Sequence, residues 1–513
     1  MKRGASAVVL LLIVCLALIS LSDFKTVRAD GTFYIRANGS VEGTDKIQRN
    51  GDVYAFADNI YGSIMVERDN IVVDGAGYAL KPQEAGDKGI GVDLRDRNNV
   101  TLINLEIAGF VGRCGILLAN TNDGHIYRNN FSNNNIGIEM TARSSRNGII
   151  KNYFENNLLG LELYSIDPGS DNIISENEIK DNDLGIVLKD FTNTNILSNK
   201  FEMNKNALFV GAGSGSKLRN NTLNDSIYGF GTLNVQGVDV DTSNTVNGKP
   251  IYYWVNQHDK TVPADAGYVA LIGCTGITVE NLNLAGNYYG IFLGSTTNSM
   301  IINNKLSNNL FGINLASSSN NRISENIITN NEHGVGLEAD SSNNNIYGND
   351  INANGVGIYM GDASGNSIVR NNIVNSETGI YTQYAAINTI HQNNFINNTK
   401  SWDDTGLAPF WFGPSVSVSV WDDGKEGNYW IDYDGIDLNN DGIGDTPYVI
   451  GVNNTDRYPL IKPVAIPQSP DGSSELEPFP IEWVAGTAVV IGLVFGIALL
   501  LYFKKRNRSR EHL

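Results

Sequence analysis

The sequence predicts an all-β chain wound as a parallel solenoid, and three observations predict it. A Gly-Ile-x-Leu burst recurs, with variations, at Gly115, Gly137, Gly160, Gly185 and Ala207 and again at Gly290, Gly312, Gly334, Gly357 and Gly379, in steps of 22, 23, 25 and 22 and then 22, 22, 23 and 22 residues. Apolar residues stand eleven before this marker (Ile126, Ile149, Ile174, Ile301), six before it (Phe131, Phe154, Leu306, Ile351), one after it and three after it. These short bursts of β-branched and aromatic residues, separated by Asn, Ser, Gly and Asp, fit several strands of about 3–5 residues per coil and not helices. Eight before most markers comes an asparagine: Asn129, Asn152, Asn177, Asn199, Asn304, Asn326, Asn349 and Asn371, with Asn220 and Asn393 extending the two series. Coils stacked in register place like side chains roughly 4.8 Å apart, so a column of amides can hydrogen-bond along itself. Each unit buries its apolar face only against its neighbours, as in solenoids generally.

The elements follow in order. Met1-Lys2-Arg3, an apolar run from Ala7 to Leu21 and Val27-Arg28-Ala29 predict a signal peptide over 1–29. Strand-like runs without the Asn phase predict an N-terminal cap and first coil over 30–98, because the end of a solenoid must shield an open core. A first repeat block occupies 99–225. An irregular coil or insertion, 226–276, contains Asn247-Gly248-Lys249-Pro250-Ile251-Tyr252-Tyr253-Trp254, and a second block fills 277–400. A cap rich in Trp, Asp and Gly is expected over 401–463, then a Pro-rich linker over 464–482. Residues 483–503 carry about 20 apolar residues and are followed by Lys504, Lys505, Arg506, Arg508 and Arg510, which predicts one transmembrane helix with a cytoplasmic basic tail over 504–513. The repeats are therefore expected on the extracellular side of the plasma membrane, at the cell surface.

Net charge is −18, from 55 acidic and 37 basic residues, which argues against a nucleic-acid partner. Cys114 and Cys274, the cysteines that remain after the signal, lie about seven coils apart at ~4.8 Å per coil. They are expected as two buried thiols and not as a disulfide.

The phased repeat, the stretch Gly51-Asp52-Val53-Tyr54 to Asn70-Ile71-Val72-Val73-Asp74-Gly75-Ala76-Gly77, and the end Gly427-Asn428-Tyr429-Trp430 through Asp445-Thr446-Pro447-Tyr448-Val449-Ile450 to Asp456-Arg457-Tyr458-Pro459-Leu460 together resemble the NosD-like right-handed parallel β-helix proteins, grouped with carbohydrate-binding and sugar-hydrolase repeats. The C-terminal anchor resembles that of archaeal surface proteins. The resemblance implies a right-handed parallel β-helix, and the NosD name implies a copper accessory role. Copper wants His, Met or Cys, yet His125, His258, His333 and His391 are scattered and Met140 and Met360 occupy the apolar position three after the marker.

Three constellations could carry chemistry. Asp437, Asn439, Asp441, Ile443 (through its carbonyl) and Asp445, with Gly442 at the tight turn, form a calcium-loop pattern similar to that of dockerins, though position twelve is Tyr448 and not Glu. Glu139 and Glu162 share the position two after the marker on adjacent coils, a candidate catalytic pair whose bland alternative is two solvated charges. In the same column stand Phe209, Phe292, Tyr359 and Tyr381, rings that could stack sugars if they face solvent, or simply each other. The expected function is a surface β-helix that binds polysaccharide or envelope glycan, or plays a structural role in a surface layer. The alternatives are a polysaccharide hydrolase or lyase, and a NosD-like copper accessory protein.

Overall fold

The computed structural model describes residues 31–84, 89–211, 213–233, 237–404 and 417–466, all within the compact unit Gly31–Ser473. The expected signal peptide, the spanning segment 483–503 and the basic tail lie outside the described residues, as does the linker beyond residue 466. Every regular element among the described residues is a strand, and none of these residues forms a helix long and apolar enough to cross a membrane. The strands wind into a right-handed parallel β-helix of about 16 turns.

A typical coil has three strands, such as Ile136–Thr141, Gly148–Ile150 and Tyr153–Glu155. Each pairs in parallel register with its counterpart one coil on: Ile138 with Leu161, Ile149 with Ile174, Phe131 with Phe154. Inward residues therefore stack on their own kind, and the Phe131 and Phe154 rings lie 4.8 Å apart at 10°. The marker glycines are small because a Cβ on Gly137 would come 2.5 Å from the Gly160 carbonyl oxygen.

Corners are built by a residue with positive φ followed by a buried asparagine. Arg128, Lys151, Glu176 and Ser198 have φ of 53–55° and precede Asn129, Asn152, Asn177 and Asn199. A non-glycine residue in this region costs roughly 1 kcal/mol, and the asparagine that follows offsets it. Asn129 Nδ2 donates to Leu102 O at 3.0 Å and to Asn152 Oδ1 at 3.1 Å, and Asn152 Oδ1 also accepts the Asn129 N–H at 2.9 Å. The column runs Asn129, Asn152, Asn177, Asn199, Asn221, Asn244. It passes through Asn221 and not the expected Asn220, which is the exposed positive-φ residue of that corner, φ 55°. A second column, Asn304, Asn326, Asn349, Asn371, Asn393, Asn428, serves the other block. The next corner carries further ladders: Asn134, Asn157, Asn182 and Asn204 in one block, Asn309, Asn331 and Asn354 in the other.

Residues 226–276 do not carry the solenoid through in one direction. Thr245–Val246 ends one sheet of the first block, Asn247 and Gly248 turn with φ of 47° and 76°, and Lys249–Val255 returns antiparallel. That is the geometry of a two-residue hairpin, for which Asn-Gly is the preferred pair. Lys249–Val255 then pairs in parallel with Tyr268–Ile272, which pairs with Tyr289–Gly294. The marker strands of the second block therefore extend a sheet of the first but run opposite to it. Tyr268, fully buried, sets its ring edge against Phe230 at 5.0 Å, so the last core layer of the first block is closed by the second. At the far end Trp421 and Trp430, both 1% exposed, close the core beyond Phe395.

Candidate functional site

Outward residues of the second block's marker strands form three rows. One reads Tyr289, Phe311, His333. The next reads Phe292, Asn314, Gly336, Tyr359, Tyr381, and the third brings Glu338, Gly361 and Gln383 into register. Where the chain reverses, this face meets the last marker strands of the first block. Gly229 N donates to Gly286 O at 2.8 Å and Tyr288 N to Phe230 O at 3.3 Å. Gly231 makes the approach possible: a Cβ there would sit 3.0 Å from Tyr288 Cβ.

The result is a continuous aromatic row. Phe209 and Tyr228 of the first block pack on Tyr288 at 5.4 and 6.4 Å between centroids, and Tyr288 packs on Tyr289 at 4.9 Å. Tyr289 continues to Phe311 at 5.6 Å, Phe311 stacks on His333 at 4.5 Å, and His333 meets Tyr359 edge-on at 5.6 Å. Tyr359 and Tyr381 finish the row, stacked nearly parallel at 5.5 Å and 9°. Phe209 and Phe292, expected to face solvent, do point out of their sheets but are only 8% and 2% exposed: Tyr288 of the other block packs on Phe209, and Tyr289 of its own strand stacks on Phe292 at 4.7 Å. Tyr359 and Tyr381 are partly exposed.

Polar groups gather around Gly336. Asn314 Nδ2 donates to Glu338 Oε2 at 3.0 Å. Asn314 Oδ1 and His333 Nδ1 are buried and have no hydrogen-bond partner. Burial pushes the Glu338 carboxyl up, against the pull of the Asn314 bond, and lowers the His333 imidazole to about 4. Burial also raises Glu332, on the same coil, to about 7, while Lys205 of the first block opposes the shift. Both glutamates act electrostatically on the Tyr288 hydroxyl. Carboxyls, a neutral imidazole and tyrosines thus converge where the two blocks meet. Asn314, Glu332 and Glu338 were not singled out in the sequence, and His333 only as one of the scattered copper donors, because each departs from its column only once; Asn314, polar between Phe292 and Gly336, was the available signal.

The other candidates are placed as follows. Glu139 and Glu162 are paired residues on adjacent strands, but Glu139 is held in a two-pronged ion pair by Arg113, both contacts 3.0 Å. Burial, with the Glu139 charge adding to it, raises Glu162 to about 7. In the unfolded chain this carboxyl ionises near 4.5. Between about 4.5 and 7 the folded state holds a proton that the unfolded state has lost, so this group's contribution to stability declines as pH rises through that window. Glu162→Gln is expected to raise the melting temperature at pH 8 and to leave it unchanged at pH 4, as calorimetry at the two pH values would show.

The residues of the calcium pattern hydrogen-bond within their own turn: Asp437 accepts the Gly442 N–H at 2.9 Å, Asn439 the Asp441 N–H at 3.1 Å, Asp441 the Ile443 N–H at 2.9 Å and Asp445 the Leu438 N–H at 2.8 Å. No group of three or more His, Cys, Asp or Glu among the described residues is placed to hold a metal ion. The copper donors fare no better: Met140 and Met360 are fully buried in the core, Cys114 and Cys274 are free and buried, and the histidines stand on separate coils. The described residues do not fit a copper centre.

A family model described as periplasmic copper-binding protein (NosD) matches residues 234–435, and one described as right handed beta helix region matches residues 83–245. The chain is a right-handed β-helix whose residues 234–435 are NosD-like. No curated protein matches it. Solved structures similar to this NosD-like chain include the A-module of the mannuronan C-5 epimerase AlgE6 of Azotobacter vinelandii, 13% identical over 70% of this chain and 90% of that one, with a TM-score of 0.25. A double mutant of the periplasmic alginate epimerase AlgG is 13% identical over 76% and 82%, with a TM-score of 0.26. A tailspike mutant of E. coli bacteriophage HK620, in complex with a pentasaccharide, is 12% identical over 66% and 72%, with a TM-score of 0.29.

Proposed function

We propose that this NosD-like β-helix binds a glycan on the extracellular side of the membrane, held there by the helix expected over 483–503 after removal of the leader 1–29. The observation that carries the reading is the Tyr359–Tyr381 pair. Two partly exposed rings, stacked in parallel at 5.5 Å, end an aromatic row of which His333 is the other partly exposed member, with Gln383 at 3.4 Å from the Tyr359 hydroxyl and Glu338 acting on it electrostatically. Aromatic faces on a rigid sheet bind sugar rings through their C–H faces at little entropic cost, while neighbouring polar groups fix orientation. The sheet supplies the rigidity, since each ring stands on a strand paired on both sides. Glycan-array binding by the protein is expected, with Tyr359→Ala or Tyr381→Ala weakening it by ten-fold or more and the double variant abolishing it; failure to bind any glycan would remove the reading.

A second reading, hydrolysis or elimination on a polysaccharide, is favoured by Glu332, which burial raises to about 7, and by Glu338, which burial shifts the same way in the same corner, since a carboxyl raised toward neutrality can protonate a leaving oxygen. Release of reducing or unsaturated ends that Glu338→Gln eliminates while binding persists would establish it. A glycan bound but never cleaved would leave binding as the function.

A further inference from the structure

We infer that Asn38, Asn220, Asn397 and Asn453 carry N-linked oligosaccharide. This rests on the extracellular placement proposed above and goes beyond it. Each residue opens an Asn-x-Ser/Thr triplet: Asn38-Gly39-Ser40, Asn220-Asn221-Thr222, Asn397-Asn398-Thr399 and Asn453-Asn454-Thr455. In a chain this rich in asparagine such triplets also arise from composition alone, so what matters is where the fold puts them. A column asparagine is buried and is followed two residues on by a buried apolar residue, as Asn129 is by Phe131 and Asn221 by Leu223. The positive-φ residue before it lies outside the core, and two residues on comes an outward strand residue. A triplet that starts there holds its amide and its hydroxyl outside together, as Asn220 (φ 55°) and Thr222 do.

The next corner of the second block makes the same selection. Asn308, Asn330, Asn375 and Asn397 all stand there after a short strand, with φ of 54–56°. Leu310, Glu332 and Glu377 follow the first three at two residues' distance, and Thr399 follows the last, so the triplet forms only where both groups are exposed. Asn453 (φ 59°) is at the tip of the hairpin made by Tyr448–Gly451 and Asn454–Asp456, with Thr455 exposed beside it. Val449 and Val452 of that hairpin are 72% and 77% exposed, apolar surface that a glycan on Asn453 would cover. Asn38 Oδ1 accepts both the N–H and the hydroxyl of Ser40 at 2.8 Å, which joins the two polar groups of its triplet. The Nδ2 groups of these four exposed asparagines have no partner among the described residues.

Three further triplets lack this setting. Asn99 donates its Nδ2 to Asn70 Oδ1 at 2.9 Å, Asn224 is half-buried, and Asn130 lies within a strand paired on both sides, in register with Glu106 and Tyr153. In the reaction, Nδ2 bonds to the anomeric carbon of an oligosaccharide carried on a lipid phosphate. The bond from that carbon to the phosphate oxygen breaks, the lipid phosphate leaves with the electron pair, and the amide gives one proton to a base of the transferase.

The test is glycopeptide mass spectrometry of the full-length protein taken from the membranes of the cells that make it. Oligosaccharide is expected on the peptides that carry Asn38, Asn220, Asn397 and Asn453 and not on those that carry Asn99, Asn130 or Asn224. Thr399→Ser is expected to keep the Asn397 glycan and Thr399→Ala to lose it, a distinction that exposure of the asparagine alone would not make. Four unmodified peptides, or oligosaccharide confined to the other three, would overturn the inference. Labelling of intact cells with a membrane-impermeant amine reagent separates the two levels. A labelled protein without glycan overturns the inference alone, whereas an unlabelled one overturns the extracellular placement and the inference with it.

Discussion

Asn349→Ala is expected to destabilise the second block by about 3–5 kcal/mol, a larger effect than that of any surface substitution. The side chain takes part in four hydrogen bonds within one buried column. Its Nδ2 donates to Ile323 O and to Asn371 Oδ1, both at 2.9 Å, and its Oδ1 accepts the Asn326 N–H at 3.0 Å and the Asn326 Nδ2 at 2.9 Å. Alanine strands the buried Asn326 N–H and takes one bond each from Ile323 O, from Asn326 Nδ2, which keeps Ile301 O and Ser324 O, and from Asn371 Oδ1, which keeps the Asn349 N–H, and it leaves a void where the amide stood. Because a solenoid's stability is a sum of local and nearest-neighbour terms, the loss should stay local. Hydrogen exchange would show it as reduced protection in the coils around Ile323, Ile346 and Ile368, with the first block unaffected. Asn330→Gly supplies the contrast. That residue sits at a corner with φ 55° and its side chain has no place in the column, so glycine there should alter stability by no more than about 1 kcal/mol. Equal effects from the two substitutions would mean that the column is not what holds the coils.

The repeat was legible because stacking copies one coil's chemistry onto the next. Any side chain required at a corner recurs at every corner, so the phases of Asn129, Ile126 and Phe131 could be read without structure. Two features of the scaffold were missed although their signal was present. The second corner ladder, Asn134, Asn157, Asn182 and Asn204, has the same period as the first, five residues later. Asn247-Gly248 is a two-residue hairpin signal inside a segment set aside as irregular, and it reverses the strand direction. That reversal is why Phe209 did not end up facing water, since it lays Tyr288 against that ring: periodicity tells which side of a sheet a residue occupies, but not what another part of the chain lays against it. The corner site was the least legible part, because it is made of exceptions. Gly336 interrupts a row of larger residues, Asn314 puts an amide between aromatic positions, and His333 takes the place of a ring in the Tyr289–Phe311 row. A single deviation from a repeat carries no phase of its own; its meaning comes from the residues three or four coils away that the fold brings to it.

Asp456→Ala is expected to open the C-terminal end of the core at a cost of about 3–5 kcal/mol, with Asp456→Asn costing less, about 1–2 kcal/mol. The carboxylate is fully buried. Its Oδ2 accepts the Asn428 N–H at 2.7 Å and the Trp430 indole N–H at 2.8 Å, and its Oδ1 accepts the Tyr458 N–H at 3.1 Å. Asn428 is the last amide of the column that runs from Asn304, and along that column each Nδ2 donates toward the next coil. The column therefore presents donors at its C-terminal end, and an acidic group is a fitting terminus, by the same logic that places carboxylates at helix N-termini. Asn454, two residues earlier, accepts the Trp421 indole N–H at 2.9 Å in the same manner, so one short strand, Asn454–Asp456, fixes both tryptophans that close the core. Burial keeps the Asp456 carboxyl raised to about 6 in spite of its three N–H partners. Removing the acceptor strands the Trp430 and Asn428 donors inside the cap and frees the indole that stacks on Phe395 at 4.3 Å. The expected readout is a shift of the Trp fluorescence maximum to longer wavelength, and earlier exposure of residues 417–460 to protease than of the first block. Asparagine keeps one oxygen acceptor and so retains part of the cap; if it proved as damaging as alanine, the charge itself, and not the geometry of acceptance, would be what terminates the column.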